Sequence, residues 1–347
     1  MKKKKVKLYA EWAEQDIVQL TWPHKNSDWA PMLEEAEACF VEIARAITRF
    51  QDILIVCADT GTVKDRLKDI DPAKLRFVEL PGNDTWTRDH GGISVSEEGK
   101  PVVCDFTFNG WGLKFAADKD NRITRRLFES GNVFAKNVNY RNHLDFVLEG
   151  GSLETDGEGT LLTTAECLLS PNRNDNLSKE KIEKELSERL GISRFLWLNH
   201  GYLRGDDTDS HIDTLARFCD ARTIAYVKCE DKNDEHYREL KKMEAELESF
   251  RTANGEPYRL IALPMADKVV FEGERLPATY ANFVIMNGAV LVPFYGSPKD
   301  AVAAGQLKAA FPDRQIVGIN CLPLIKQHGS LHCVTMQYPK GFMLTGF

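Results

Sequence analysis

The chain is 347 residues long, enough for one large domain or two ordinary ones. Hydrophobic residues make up 43% and charged residues 28%, a balance that lets a chain of this length bury a core without disulfide or metal staples. The formal net charge of −7 argues against a nucleic-acid partner, which calls for a basic face, and suits a small cationic one.

The basic start, Lys2 to Lys5, reads as a solvated tip. A signal peptide is not expected, because Glu11, Glu14, Gln15 and Asp16 interrupt any apolar run. Nowhere do about 18 apolar residues follow one another, so no membrane span is expected. The eight cysteines, Cys39, Cys57, Cys104, Cys167, Cys219, Cys229, Cys321 and Cys333, are scattered and form no CxxC pair. That is the usage of a reducing compartment, so a cytoplasmic location is expected, and ligand spacing for zinc is missing.

In chain order, short apolar runs predict strands at Ile17–Trp22, Ile53–Cys57, Leu75–Leu80, Val102–Phe106, Phe146–Leu148, Leu161–Thr164 and Phe195–Leu198. Further strands are predicted at Thr223–Lys228, Leu260–Leu263, Phe283–Met286, Val290–Pro293 and Gln315–Ile319. Turns are read at Glu98-Gly99, at Asp156 to Gly159 and at Asn287-Gly288, the last a hairpin signal. Helical spacing predicts helices over Met32–Phe50, Lys179–Leu190 and Asp234–Phe250, with a fourth opened by Ser297-Pro298-Lys299-Asp300. Ser178 is the expected N-cap of the second helix and Gly191 its stop. Strands with interspersed helices and hairpins imply an α/β or α+β chain, without clean βαβ alternation or a visible repeat. No linker or composition shift divides it, so one domain over 1–347 is expected.

Four segments collect polar residues that a fold alone does not ask for. The first, Asn83 to Gly92, holds Trp86, Arg88, Asp89 and His90 after a strand and a Pro-Gly turn, where function often sits; Asp89 could equally cap a backbone N–H. The second, Glu149-Gly150-Gly151, places an acid before two glycines, either a buried carboxylate with backbone close by or a plain bulge. The third runs from Arg204 to Asp213 and surrounds His211 with Asp206, Asp207, Asp209 and Asp213. A neighbouring carboxylate orients a histidine and raises its basicity; a hard cation or a solvated acidic loop are the alternatives. The fourth runs from His328 to Gln337, where Cys333 follows a small-residue turn and precedes an expected strand. It is the one cysteine placed as a reactive thiol, for which an electropositive, partly exposed setting is expected. A thiol, a histidine and several acids exceed what a neutral amide substrate needs. A guanidinium, planar and permanently charged, matches carboxylates bidentately.

The four segments resemble the agmatine deiminase family, also called the Porphyromonas-type peptidyl-arginine deiminase family. Its WxRDxGP pattern is similar to Trp86 to Gly92, its EGG element to Glu149-Gly150-Gly151, its xGHxD element to Asp209 to Asp213, and its GGGxHCxTxQ element to the stretch ending Gly329 to Gln337. Flanks at Thr21 to His24, Phe108 to Lys114 and Leu276 to Phe283 agree. Gly92 stands where the family has Pro, Ser210 where it has Gly, and His328 and Ser330 replace two glycines. The resemblance implies the pentein fold, a five-bladed α/β propeller of pseudo-symmetric ββαβ modules. It implies catalysis by Cys333, His211, Glu149, Asp89 and Asp213, with Asp89 and Asp213 holding the guanidinium; Asp207 is a further candidate for holding substrate, as are Trp86 and Trp111, which read equally well as core aromatics. No metal or organic cofactor is implied. Agmatine is the first substrate expectation and peptidyl or C-terminal arginine the second. Free arginine ranks lower, since Arg204 is the one candidate for its carboxylate. An amidinotransferase and a non-catalytic guanidinium-binding protein on the same fold are the rivals. Homodimerisation is a base-rate expectation.

Overall fold

The structure is a computed structural model that describes residues 5–344. Lys2 to Lys4 of the basic tip lie outside the described residues.

One motif recurs five times. Two strands pair antiparallel, a helix crosses over, and a third strand returns parallel to the second. In the first module Ile93–Glu97 and Lys100–Thr107 form the hairpin, Ile123–Glu129 is the crossover helix and Asn139–Val147 returns. The Glu98-Gly99 turn has φ of 51° and 77°, the double left-handed turn that matches strand twist. The second module uses Glu154–Thr155, Thr160–Thr164, the helix Lys179–Leu190 and Arg194–Leu198. The third uses Ala216–Asp220, Thr223–Lys228, the helix Tyr237–Ser249 and Arg259–Pro264. The fourth uses Val284–Met286, Ala289–Phe294, the helix Lys299–Ala310 and Gln315–Asn320. In the fifth the two ends of the chain meet. Thr335–Pro339 pairs antiparallel with Gln15–Thr21, the helix Leu33–Thr48 crosses, Asp52–Cys57 returns, and Leu75–Glu79 adds a further parallel strand. This is the five-bladed ββαβ propeller that the motifs imply.

The crossover helices pack through apolar faces at helical spacing. Leu33–Thr48 buries Ala36, Cys39, Phe40, Ile43, Ala44 and Ile47, where each full-sized apolar side chain is worth about 1.5–3 kcal/mol when removed from water. Gly191 ends its helix in the left-handed region at φ 75°, as expected, whereas Ser178 holds the N-cap position without a side-chain capping bond. Ser297 and Asp300 cap reciprocally: the hydroxyl accepts from the Lys299 N–H and the carboxylate from the Ser297 N–H.

Several elements escape the apolar pattern. Asn139–Val147 is longer than the expected Phe146–Leu148 because its first half, Asn139 to His143, is polar and pairs only with Lys100–Thr107. Ala216–Asp220 is hidden by a charged residue, Arg217, which is wholly buried. The helix Thr60–Arg66 is opened by Asp59, whose carboxylate accepts from Gly61 and Thr62 N–H. The repeat is invisible in sequence because the modules share topology while their crossovers differ in length and composition.

Candidate active site

The loop just before the leading strand of each module supplies one part of the site. Asp89 precedes Ile93–Glu97, Glu149 precedes Glu154–Thr155, and His211 with Asp213 precedes Ala216–Asp220. Asn282 precedes Val284–Met286, and His332 with Cys333 precedes Thr335–Pro339. Pseudo-symmetry thus gathers residues up to hundreds of positions apart.

Cys333 is 7% exposed and lies at the base of a cavity of about 160 Å³. Its Sγ is 3.4 Å from Asn282 Oδ1 and 3.9 Å from Asp213 Oδ2. Asn282 Oδ1 also accepts from the His332 N–H at 2.8 Å and the Cys333 N–H at 3.3 Å, which fixes the backbone beneath the sulfur. Burial pushes the thiol well above its ordinary range, and the charges of Asp213 and Asp89 push it further. The electropositive setting expected from sequence is therefore corrected: burial and the nearby carboxylates of Asp213 and Asp89 favour the protonated thiol.

His211 is buried, with Nε2 3.2 Å from Glu149 Oε2 and Nδ1 3.6 Å from Asp89 Oδ1. Burial opposes its cation, but Asp89, the Cys167 sulfur and Glu149 together raise it well above the ordinary imidazole value. Glu149 is held below the carboxylate range despite burial, by His211 and by Arg173, whose Nε donates to Oε2 at 2.7 Å. Asp89 accepts from Trp111 Nε1–H and from the Gly151 N–H, both at 2.9 Å, and burial pushes it up to about 6. Burial pushes Asp213 up, but the His332 Nδ1 contact at 2.7 Å and the charges around it, His211 and Arg217 among them, together lower it. Among the described residues Asp213 Oδ1 and Glu149 Oε1 are buried acceptors without a partner. Such atoms are costly unless something donates to them.

Two glycines explain their motifs. A Cβ on Gly151 would lie 2.5 Å from His211 Nδ1 and 2.7 Å from Asp89 Oδ1, so only glycine lets these side chains meet. A Cβ on Gly329 would lie 2.1 Å from the Trp86 ring.

All the expected site residues converge. Trp86, Asp89, Trp111, Asp207 and Cys333 line the cavity, and the buried His211, Glu149 and Asp213 adjoin it, Asp213 next to the Cys333 sulfur and His211 next to Asp89. The acids flanking His211 in sequence do not gather around it, however. Asp206 accepts from Ser210 N–H and Thr208 Oγ, and Asp209 pairs with Lys114 and Arg173; the carboxylates that meet the imidazole come from two other modules. Arg204 is exposed and does not line the cavity. Ser210 and His328, where the family has glycine, both adopt positive φ, 58° and 68°. Ser210 is held there by bonds to Glu166 and Asp206, and His328 by a 2.7 Å contact from Nδ1 to the Gly205 carbonyl. Ser330 places its hydroxyl 2.9 Å from that of Tyr295.

Sequence reasoning missed Arg173, Asn282, His332 and Glu11 as parts of the site. Asn282 and His332 lie inside the quoted motifs, whereas Arg173 and Glu11 carry no local signal. Two groups bring metal-type ligand atoms within 4.8 Å of one another, Glu149 with Cys167 and His211, and Glu11 with Glu154 and His332. In each an arginine, Arg173 or Arg217, already pairs with the carboxylates.

A thiol, a carboxylate-paired histidine and two further aspartates at the hub of a five-bladed ββαβ propeller define a cysteine-dependent hydrolase of guanidino groups. The family model described as Porphyromonas-type peptidyl-arginine deiminase matches residues 7–339, and the chain belongs to that family. It is 34% identical to the agmatine deiminase of Stutzerimonas stutzeri, over 96% of this chain and 95% of that one. A Porphyromonas gingivalis crystal structure, provisionally described as an arginine deiminase, is 58% identical with TM-score 0.95, covering 98% of this chain and 100% of that one. The C. jejuni agmatine deiminase with substrate bound is 40% identical with TM-score 0.92, covering 98% of each chain. No described helix is long and apolar enough to cross a membrane.

Proposed function

We propose that the protein hydrolyses agmatine to N-carbamoylputrescine and ammonia through a covalent intermediate on Cys333. The observation that carries this is the charge of the cavity. Asp28, Asp84, Asp89, Asp206 and Asp207 line it, and no lysine or arginine is among the described lining residues. Agmatine is a cation at both ends. Arginine brings a carboxylate that this wall would repel.

The guanidinium lies over Cys333, its N–H groups donating to Asp89 and to the free Oδ1 of Asp213, which sets the central carbon in line with Sγ. The substrate's charge offsets the carboxylates that hold the thiol protonated, so the thiolate forms when the site fills. Sγ bonds to the carbon and the C–N bond to the terminal nitrogen breaks. His211, oriented by Glu149, protonates that nitrogen as it leaves, and the thiol's proton balances the hydrogen that ammonia takes up. The amidino-thioether is then attacked by water, which gives a proton to His211. The C–S bond breaks to release the ureido product and restore the thiol. Asp207, with Asp84 and Asp206, faces the distal ammonium, and Trp86 and Trp111 flank the tether.

The test is ammonia release from agmatine, free arginine and a short arginine peptide in parallel, with Cys333→Ala as control. Release from agmatine alone, lost in the variant, is the expected result. Preferential turnover of the peptide would replace this substrate with peptidyl arginine, and turnover by Cys333→Ala would remove the covalent step.

A further inference from the structure

His332 adjoins the nucleophile but is not among the cavity-lining residues, and it is 1% exposed. Its Nδ1 is 2.7 Å from Asp213 Oδ2 and its Nε2 is 2.8 Å from Glu11 Oε2. A ring that meets carboxylate oxygens on both nitrogens can donate to both only as the imidazolium. Glu11 arrives from the far end of the chain, in the loop before Gln15–Thr21, and is itself fixed. Its Oε2 takes Arg217 Nη2 at 2.7 Å, its Oε1 takes the Ile285 N–H at 2.7 Å, and Arg88 Nη2 is 3.9 Å away. Arg217 continues the row to Glu154 and is anchored by the Phe283 carbonyl at 2.7 Å. A buried row, Asp213, His332, Glu11, Arg217 and Glu154, thus runs away from the cavity, behind the nucleophile.

We propose that His332 is a positioning residue of the guanidinium site: bridging Asp213 and Glu11, it ties up one Asp213 oxygen, fixes the carboxylate plane and leaves the other oxygen for the substrate cation. This rests on the reading of the site as a guanidine hydrolase. Two observations carry it. Asp213 Oδ2 is taken by His332 while Oδ1, equally buried, has no partner among the described residues. Moreover, the like charges of Asp213 and Asp89 repel, and the two respond oppositely: Asp89 is pushed up to about 6, whereas Asp213 is lowered, with His332 the largest opposing influence to its burial. The bond from the His332 ring favours the ionised carboxylate at Asp213, a partner that Asp89 lacks. The other charged or titratable groups facing Asp213 are His211, Arg217, Arg88, Asp89 and Cys333; those facing His332 through Glu11 are Arg217, Arg88 and Glu154.

The experiment uses His332→Gln and Glu11→Gln in the full chain, with two alkylating reagents for Cys333, 2-chloroacetamidine, which carries a planar cation, and neutral iodoacetamide. Their rate ratio reports how well the site holds a guanidinium-like cation and needs no turnover substrate. In folded His332→Gln the ratio is expected to fall about tenfold or more, the loss of one charge-assisted bond. KM for the turnover substrate should rise by a similar factor with a smaller change in kcat, and the acid limb of kcat/KM should move to higher pH, because Asp213 loses the partner that depresses its pKa. Glu11→Gln, which touches neither Asp213 nor the cavity's sulfur, should move all three readouts the same way by less; it carries the test if His332→Gln does not fold. Wild-type ratios, KM and pH profile in whichever variant is folded would overturn the proposal and leave His332 a structural ion pair. A wild-type protein with no preference for the cationic reagent would instead overturn the guanidine-hydrolase reading, and the proposal with it.

Discussion

Glu149→Gln isolates the contribution of charge to His211. The substitution keeps the side chain's shape and removes a unit negative charge whose oxygen lies 3.2 Å from Nε2. At an effective dielectric of about 20, that contact is worth about 5 kcal/mol to the imidazolium, and side-chain relaxation reduces it to roughly half. Arg173 remains beside the new amide without the Glu149 charge, and Asp209, 2.6 Å from its other side, offsets it only in part, so a protonated His211 is disfavoured further. The sign follows. In the native site the pKa of His211 is raised, so its acid form persists as pH rises; in the variant the acid form is lost at lower pH. The basic limb of the kcat profile should shift downward, and kcat at pH 8 should fall roughly 100-fold, within the range general acid catalysis supplies. Two assays bear on it, ammonia release as a function of pH and NMR titration of the His211 ring, which requires no substrate. An unchanged His211 titration in a folded Glu149→Gln protein would refute the reasoning, whatever the rate does.

Three further outcomes are expected. Alkylation of Cys333 by iodoacetamide without substrate should keep rising beyond pH 9, since burial and the two aspartates hold the thiol up; a plateau near neutral pH would contradict that buried, carboxylate-flanked setting. Gly151→Ala should leave the protein folded by circular dichroism yet lower kcat at least roughly 100-fold, because its Cβ would separate His211 from Asp89; near-native kcat would show that the close approach is dispensable. Asp207 is pushed up to about 6 by burial and by Asp206, so stability falls as pH rises from about 4, where the unfolded carboxyl ionises, to about 6, where the folded one does. Asp207→Asn should therefore gain about 1 kcal/mol against urea at pH 8, roughly half of that at pH 5 and almost nothing near pH 3, after discounting for its partial exposure, while raising KM for agmatine; a gain equal at pH 8 and pH 3 would contradict the titration.

Much of the reactive chemistry was legible because it sits in short contiguous stretches. Trp86 with Asp89, Glu149 with its two glycines, His211 with Asp213, and Cys333 after Gly329 each form a run whose polar density exceeds what a turn needs. Apolar runs likewise exposed the buried second and third strands of most modules. The exceptions failed for different reasons: Asn139 to His143 is a polar, partly exposed stretch whose strand character comes from pairing alone, whereas the strand around Arg217 buries a charge that other charges surround.

The amino-acid sequence by itself determined the reacting groups, the helix and turn boundaries set by residues such as Gly191 and Gly99, and the family pattern. Only the tertiary structure decided who partners whom. His211 takes its carboxylates from Glu149 and Asp89, not from the acids beside it in the chain. Glu11 reaches His332 across 321 positions, and Arg173 holds Glu149 from the loop before a crossover helix. The sulfur's surroundings are set the same way, and they reversed the expectation of an electropositive site. The physical reason is that charge interactions depend on distance and burial. Five loops brought to one axis by repeated topology fix both, and sequence separation carries neither.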